Sequence, residues 1–233
     1  MKLTIIIPVY NEERTIDDLL KKVFKVELPK NLKKEVIVVD DGSTDKTSKI
    51  LNRWKVKINY IKHSKNLGKG AAVRNGIKQS SGDLIIIQDA DLEYDPAYYS
   101  VLLEPLNRAK VVYGSRLTNY PLNFWGRDKT VLPLHLIANK LLTGFTNFLY
   151  GSSLTDMETG YKVFKKNIFD NIKINSNKFD FEAEITAKIL KKGIKIVEIP
   201  IITKPRTYKE GKKISWKDGI IAIWTLIKYK FVD

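Results

Sequence analysis

The chain has 233 residues, 43% of them hydrophobic, which suits one packed α/β domain and makes disorder the exception rather than the default. It contains no cysteine, so disulfides, thiolate catalysis and Cys-rich zinc sites are excluded, and its two histidines, His63 and His135, show no metal-ligand spacing. A net charge of +15 leaves nucleic acid, anionic membrane and phosphorylated substrates open as partners.

Taken in order, Leu3 to Pro8 reads as a buried strand. Asn11 is then expected to cap a helix beginning near Glu12, which carries Ile16, Leu19, Leu20, Val23 and Phe24 at helical spacing. Val36 to Val39 is a second strand, ending in the turn Asp40-Asp41-Gly42-Ser43-Thr44-Asp45, with a short helix beyond. Ile58 to Ile61 is a third strand. The run Asn66-Leu67-Gly68-Lys69-Gly70 opens a helix reaching about Gln79, and Leu84 to Ile87 is a fourth strand. Four strand–helix alternations predict parallel strands with right-handed crossovers and helices on both faces of the sheet. In such sheets ligands bind at the carboxyl ends of the strands, where Tyr10, Asn11, Asp40, Asp41, Asn66, Gly68 and Asp89 all fall.

The second half is less regular. Val111 to Tyr113 is a short strand before Gly114-Ser115-Arg116. Residues 118–130 read as a loop, 131–150 as a helix, and Asp156 to Lys162 as a turn. An amphipathic helix is predicted over 181–192, a strand over 194–201, a basic loop over 203–213 and a final helix over about 216–230. No linker or composition shift divides the chain, so the reading is a single domain over 1–233, with the last helix as an appendage.

Gln88 to Pro96 concentrates chemistry. Asp89, Asp91 and Glu93 are spaced two apart, which in an extended segment places them on one face. Three converging carboxylates repel unless a cation joins them, and carboxylate oxygens suit Mg²⁺ or Mn²⁺. An isolated D-x-D is a weak signal; its bland alternative is a solvated turn. The Gly68-Lys69-Gly70 loop lacks both the dinucleotide fingerprint and the P-loop spacing, yet a Gly-rich helix entry still offers backbone N–H groups to an anion.

Together, Pro8-Val-Tyr-Asn-Glu12, Val39-Asp-Asp-Gly-Ser-Thr-Asp45, Asn66-x-Gly-Lys-Gly-Ala-Ala72, Gly82-Asp83 and Asp89-Ala90-Asp91 resemble, in order and spacing, the family 2 glycosyltransferases of the GT-A fold. Gly114-Ser-Arg116, the stretch from Asp156 to Phe164 and the stretch from Arg206 to Lys212 resemble the polyprenyl-phosphate hexose synthase branch. The resemblance implies a Rossmann-like, mostly parallel sheet. It implies that Pro8, Tyr10, Glu12, Asp40, Asp41, Lys69, Gly70, Asp89 and Ala90 frame a nucleotide-diphosphate sugar. It further implies that Asp89, Asp91 and Glu93 hold the cation on the diphosphate; mannose synthases usually carry Gln where this chain has Glu93. The acceptor is then a polyprenyl phosphate, and the implied product has inverted configuration, with mannose favoured and glucose or N-acetylglucosamine as alternatives.

A phosphate monoester is largely dianionic at neutral pH, so it needs cationic positioning more than a general base. Arg116 and Arg206 are the expected acceptor-phosphate residues, because guanidinium pairs phosphate bidentately, with Lys212 and Lys213 as weaker candidates. Asp91, Arg116 and Arg206 are thus the expected catalytic set. Asp156 and Glu182 stay open as a base or as partners in ion pairs, and Asn139 reads as an ordinary helical residue.

The N-terminus lacks signal-peptide features and no run reaches ~18 apolar residues, so the expectation is a cytoplasmic protein peripheral at the cytosolic face of a membrane. Trp216, Ile220, Ile223, Trp224, Ile227 and Phe231 form an apolar stripe flanked by lysines, which suits an anionic leaflet, the core or a dimer seam. A homodimer or a membrane-protein partner is compatible with that stripe. The rival readings are a family 2 enzyme extending a saccharide, and a non-catalytic nucleotide- or membrane-binding module. Nucleic acid is not expected, since no recognition motif accompanies the charge.

Overall fold

The computed structural model describes residues 1–118, 133–206 and 216–232. Its centre is β1 (Lys2–Val9), with β2 (Lys33–Asp40) paired parallel on one side and β4 (Leu84–Ile87) parallel on the other. β3 (Asn59–Lys62) extends the sheet parallel to β2. Beyond β4 lie β6 (Lys162–Lys165), β5 (Val111–Ser115) and β7 (Ile196–Pro200), giving the order β3-β2-β1-β4-β6-β5-β7. β6 runs antiparallel to both its neighbours. The sheet is therefore mixed but mostly parallel, an α/β, Rossmann-like arrangement as expected.

Period-2 alternation along β1 divides the core. Leu3, Ile5, Ile7 and Val9 pack with Leu19, Leu20 and Val23 of α1 (Ile16–Lys25), while Ile6 faces Val73 of α3 (Lys69–Gln79) and Phe181 of α6 (Phe181–Lys191). β1 is apolar on both faces because helices cover both, the pattern expected of interior parallel strands.

Four sequence expectations are corrected. Asn11 caps no helix: its φ is +53°, its side chain accepts from the Thr44 N–H at 2.8 Å, and α1 begins only at Ile16. Lys162–Lys165, the end of an expected turn and the residues after it, is a sheet strand; its apolar residues are too few to carry a period. An extra helical segment, α4 (Tyr99–Leu103), lies between β4 and β5. Finally, α6 is not amphipathic in place. Phe181 through Ile189 are all buried, because α7 (Trp216–Phe231) packs over its outer side.

α7 itself uses two faces. Ala222, Leu226 and Tyr229 join the core, whereas Ile220, Ile223, Trp224 and Phe231 are exposed, Trp224 by 65%. Among the described residues, then, the stripe seen in the sequence is not core. α5 (Pro133–Tyr150) packs beside α7, with Tyr150 Oη donating to the Leu226 carbonyl at 2.7 Å, and exposes Leu141 and Phe148.

Candidate active site

The carboxyl ends of β1, β2 and β4 open into a cleft of about 440 Å³. Pro8, Tyr10, Glu12 and Asp41 line it from the ends of β1 and β2, Asn66, Gly68 and Lys69 from the entry to α3, Asp89, Ala90 and Asp91 from the end of β4, and Arg116, Glu158, Gly160 and Glu182 from beside β5, β6 and the start of α6. Parallel strands leave adjoining βα turns at this edge, which brings residues distant in sequence together.

The paired aspartates after β2 have distinct jobs. Asp40 is fully buried and does not line the cleft. It accepts from the Ser43 N–H, the Ser48 hydroxyl and the Tyr60 hydroxyl, tying β2 to α2 (Thr47–Asn52) and β3. Asp41 reaches the cleft, where its carboxylate accepts from the Leu67 and Gly68 N–H groups at 2.9 and 2.7 Å and contacts His63 Nδ1 at 2.7 Å. His63 Nε2 in turn lies 2.9 Å from the Asn75 amide. Gly70 is likewise behind the wall: a Cβ there would lie 2.4 Å from the Ser176 carbonyl oxygen, so glycine is what lets α3 approach the 176–178 segment.

The acidic stretch is not extended. Leu92 has φ +63°, and Gln88, fully buried, donates to the Asp89 and Tyr94 carbonyls at 3.0 and 3.2 Å, holding the chain in a turn. Asp89, Asp91 and Glu93 therefore do not alternate on one face, and no ready-made group of three metal-ligating side chains exists among the described residues. Asp89 Oδ1 pairs with Lys69 Nζ at 2.7 Å. Asp91 accepts from the Glu93 N–H at 3.0 Å, and Glu93 accepts from the Arg206 N–H at 2.9 Å. Burial first, then the charges of Asp89 and Glu93, push the Asp91 carboxyl up to about 7, against the pull of Arg206.

Behind Asp89 runs a buried chain of alternating charge that the sequence reading left unassembled. Lys69 also pairs with Glu182 at 2.9 Å, and Glu182 with Lys162, whose ammonium is capped by the Met157 and Thr159 carbonyls and lies over the Tyr113 ring. Burial opposes the Lys69 charge, but Asp89 and Glu182 together raise its pKa. A lysine inside the apolar run Tyr161-Lys-Val-Phe164 was the available signal, because a buried ammonium requires a buried partner.

Both expected arginines reach the cleft, each held by a carboxylate. Arg116 donates to Asp156 through Nε at 2.7 Å and Nη2 at 2.8 Å. Arg206 donates from Nη1 and Nη2 to Glu12 at 3.2 and 2.9 Å, and from Nε to the Asp91 carbonyl at 3.0 Å. Asp156 and Glu182 are thus in ion pairs, one of the two alternatives left open by the sequence. Lining residues not singled out in the sequence include Glu158, Lys178 and Phe179, and Asp218 in the first turn of α7. Lys212 and Lys213 lie outside the described residues.

Comparison with known proteins agrees with this architecture. A dolichol-phosphate mannosyltransferase of Pyrococcus furiosus is 27% identical over 223 residues, 91% of this chain; the chain spans only 59% of that relative's length. A UDP-N-acetylglucosamine–dolichyl-phosphate N-acetylglucosaminyltransferase of Methanococcus voltae is 28% identical over 251 residues, covering 97% of this chain and 95% of the relative. The crystal structure of glucosyl-3-phosphoglycerate synthase from Mycobacterium tuberculosis, in complex with Mn²⁺, UDP and phosphoglyceric acid, superposes with a TM-score of 0.72 at 16% identity. It covers 100% of this chain and 79% of its own, a likeness of fold. Residues 4–173 match glycosyl transferase family 2, and the chain belongs to that family.

Proposed function

We propose that this chain transfers a hexose from a nucleotide-diphosphate sugar to a polyprenyl phosphate, with inversion at the anomeric carbon and dependence on Mg²⁺ or Mn²⁺. The observation that carries the reading is one cleft with a desolvated acidic pair, Asp89 and Asp91, between a strand-end wall and two arginines. The named activities of the Pyrococcus and Methanococcus relatives support a polyprenyl-type phosphate as acceptor.

In this reading Pro8, Tyr10, Glu12 and Asp41 face the nucleotide. Asp91, with Asp89 and Glu93 close by, fits a divalent cation: a carboxyl whose charge is suppressed by burial and by like neighbours gains when a cation joins it. Bound there, the cation would neutralise charge on the leaving nucleoside diphosphate. The Mn²⁺ and UDP of the Mycobacterium structure support the same choice.

Arg116 spends Nε and Nη2 on Asp156, so Nη1 is left to donate to an acceptor phosphate. Arg206 must exchange Glu12 for that phosphate, which links acceptor engagement to the donor wall. The phosphate oxygen forms the new bond to the anomeric carbon. The bond from that carbon to the diphosphate breaks, its electron pair leaving with the nucleoside diphosphate.

Membrane approach is part of the proposal. No described helix is long and apolar enough to cross a bilayer. The exposed face of α7, with Ile220, Ile223 and Trp224 between Lys217 and Lys228, suits an anionic leaflet at the cytosolic side, and Asp218 on the same helix lines the cleft. The deciding experiment incubates the protein with labelled GDP- and UDP-sugars, polyprenyl phosphate and Mg²⁺ or Mn²⁺, and follows label into the organic phase. Transfer is expected from at least one donor. Transfer only to free saccharides would overturn the acceptor assignment.

A further inference from the structure

The turn from Asp156 to Gly160 is anchored at four of its five residues. The Asp156 N–H donates to Glu198 at 3.0 Å, and the Met157 N–H to Thr143 Oγ1 at 3.1 Å. Thr159 Oγ1 donates to the Gly114 carbonyl at 2.5 Å, and the Gly160 N–H to Tyr94 Oη at 2.8 Å. Met157 and Thr159 are completely buried. Gly160 sits directly against the acidic turn, since a Cβ on it would lie 2.2 Å from Asp89 Oδ2. The side chain of Glu158 in this turn lines the cleft, and its Oε1 is buried with no hydrogen bond among the described residues.

An unpaired carboxylate oxygen in a wall this tightly fixed is costly. Its cationic neighbours Arg116 and Lys162 each hold another carboxylate, Asp156 and Glu182. Glu158 precedes β6 and Asp89 follows β4, so in the strand order β2-β1-β4-β6 Asp89 lies between Glu158 and the wall of Pro8, Tyr10 and Asp41 at the ends of β1 and β2. A nucleotide on that wall and its diphosphate at Asp91 leave the third part of the donor, the sugar, for the Glu158 side.

We propose that Glu158 is a specificity-determining residue that hydrogen-bonds hydroxyl groups of the transferred sugar. The assignment rests on the donor class of the proposed function and adds which residue reads the sugar. A sugar hydroxyl both donates and accepts, so it satisfies a carboxylate or a carboxylic acid. Burial chiefly, with Glu182 adding, pushes the Glu158 carboxyl up to about 7, so both forms are accessible near neutral pH. A site built to bond a hydroxyl discriminates strongly against a sugar that lacks or misplaces it, because its buried polar group is then left unpaired.

The test measures binding without turnover. UDP, GDP, UDP-glucose, UDP-N-acetylglucosamine, GDP-mannose and deoxy analogues of the preferred donor are titrated with Mn²⁺ into wild type, Glu158→Gln and Glu158→Ala, by calorimetry. Nucleoside diphosphate affinity is expected to stay within about twofold. Affinity for the preferred sugar nucleotide is expected to fall on the order of tenfold or more in Glu158→Ala, with Glu158→Gln between. One deoxy analogue should bind wild type and Glu158→Ala equally. A constant ratio of sugar-nucleotide to nucleotide affinity across all three proteins overturns the proposal. So does loss of turnover at unchanged donor affinity, which would make Glu158 a base for a hydroxyl acceptor. Equal weakening of nucleotide and sugar nucleotide, with a lowered thermal transition, would make it structural and also overturns it. If the wild type fails to transfer to lipid phosphate yet binds sugar nucleotides with the expected Glu158 dependence, the acceptor reading fails and this assignment stands.

Discussion

Arg206 and Glu12, 194 residues apart, meet in the cleft through two guanidinium–carboxylate hydrogen bonds of 3.2 and 2.9 Å. The pair joins the start of the first βα turn to the far end of the described 133–206 segment. A fork of this kind is not reproduced by lysine, whose ammonium is a point charge. A double-mutant cycle on Glu12→Gln and Arg206→Lys should give a coupling on the order of 1–2 kcal/mol in urea unfolding. Additive effects would show the contact to be energetically idle.

Lys69 neutralises two buried carboxylates at once, Asp89 and Glu182. Removing it strands both. Lys69→Met should lower unfolding free energy by about 3–5 kcal/mol, the range for breaking a buried ion pair from one side. The measurement is chemical denaturation. A loss below about 1 kcal/mol would mean that water reaches the network freely.

Glu158 makes stability depend on pH in a definite direction. Its folded pKa is raised to about 7 from an ordinary value of 4.5, so the folded state holds the proton more tightly than the unfolded chain. The stabilisation from that proton is fully present below 4.5 and is lost as pH rises through about 7. Glu158→Gln lacks this term. Its melting temperature relative to wild type should therefore climb between pH 5 and pH 8. A difference independent of pH would show an unperturbed carboxyl.

For the cation, Asp91→Asn and excess chelator should each reduce turnover by roughly a hundredfold or more, the scale of removing electrostatic stabilisation of a leaving group. Full activity in chelator would remove the metal from the reaction.

For the membrane face, Ile220→Ser with Trp224→Ser should release the protein from anionic liposomes and leave a cooperative thermal transition in place, because both side chains are exposed. Leu226→Ser, on the buried face of the same helix, should instead destabilise the fold. If the exposed pair proves as destabilising as Leu226, α7 has no free apolar surface to offer.

Much of this molecule was legible in one dimension. Apolar runs such as Leu84 to Ile87, read with the helical spacing of Leu19, Leu20 and Val23, identify strands and helices because the periods of 2 and 3.6 are local properties of the backbone. Alternation of those elements implies a mostly parallel sheet, and a parallel sheet implies a site at its carboxyl edge, where Tyr10, Asp41, Lys69 and Asp89 are found. Partnership was not legible, because it depends on which turns become neighbours. Asp40 and Asp41 are adjacent in sequence, yet one faces inward to Ser48 and Tyr60 and the other outward to the cleft, since successive side chains at a strand end point oppositely. Asp89, Asp91 and Glu93 look aligned on paper, and a left-handed Leu92 breaks the extended geometry that would put all three on one face. Arg116 and Arg206 were recognisable as cleft residues, but their carboxylates come from 40 and 194 residues away. Only the folded sheet decides such pairings, because a buried charge takes whatever opposite charge the topology brings within reach, and it leaves Glu158 Oε1 without a hydrogen bond among the described residues.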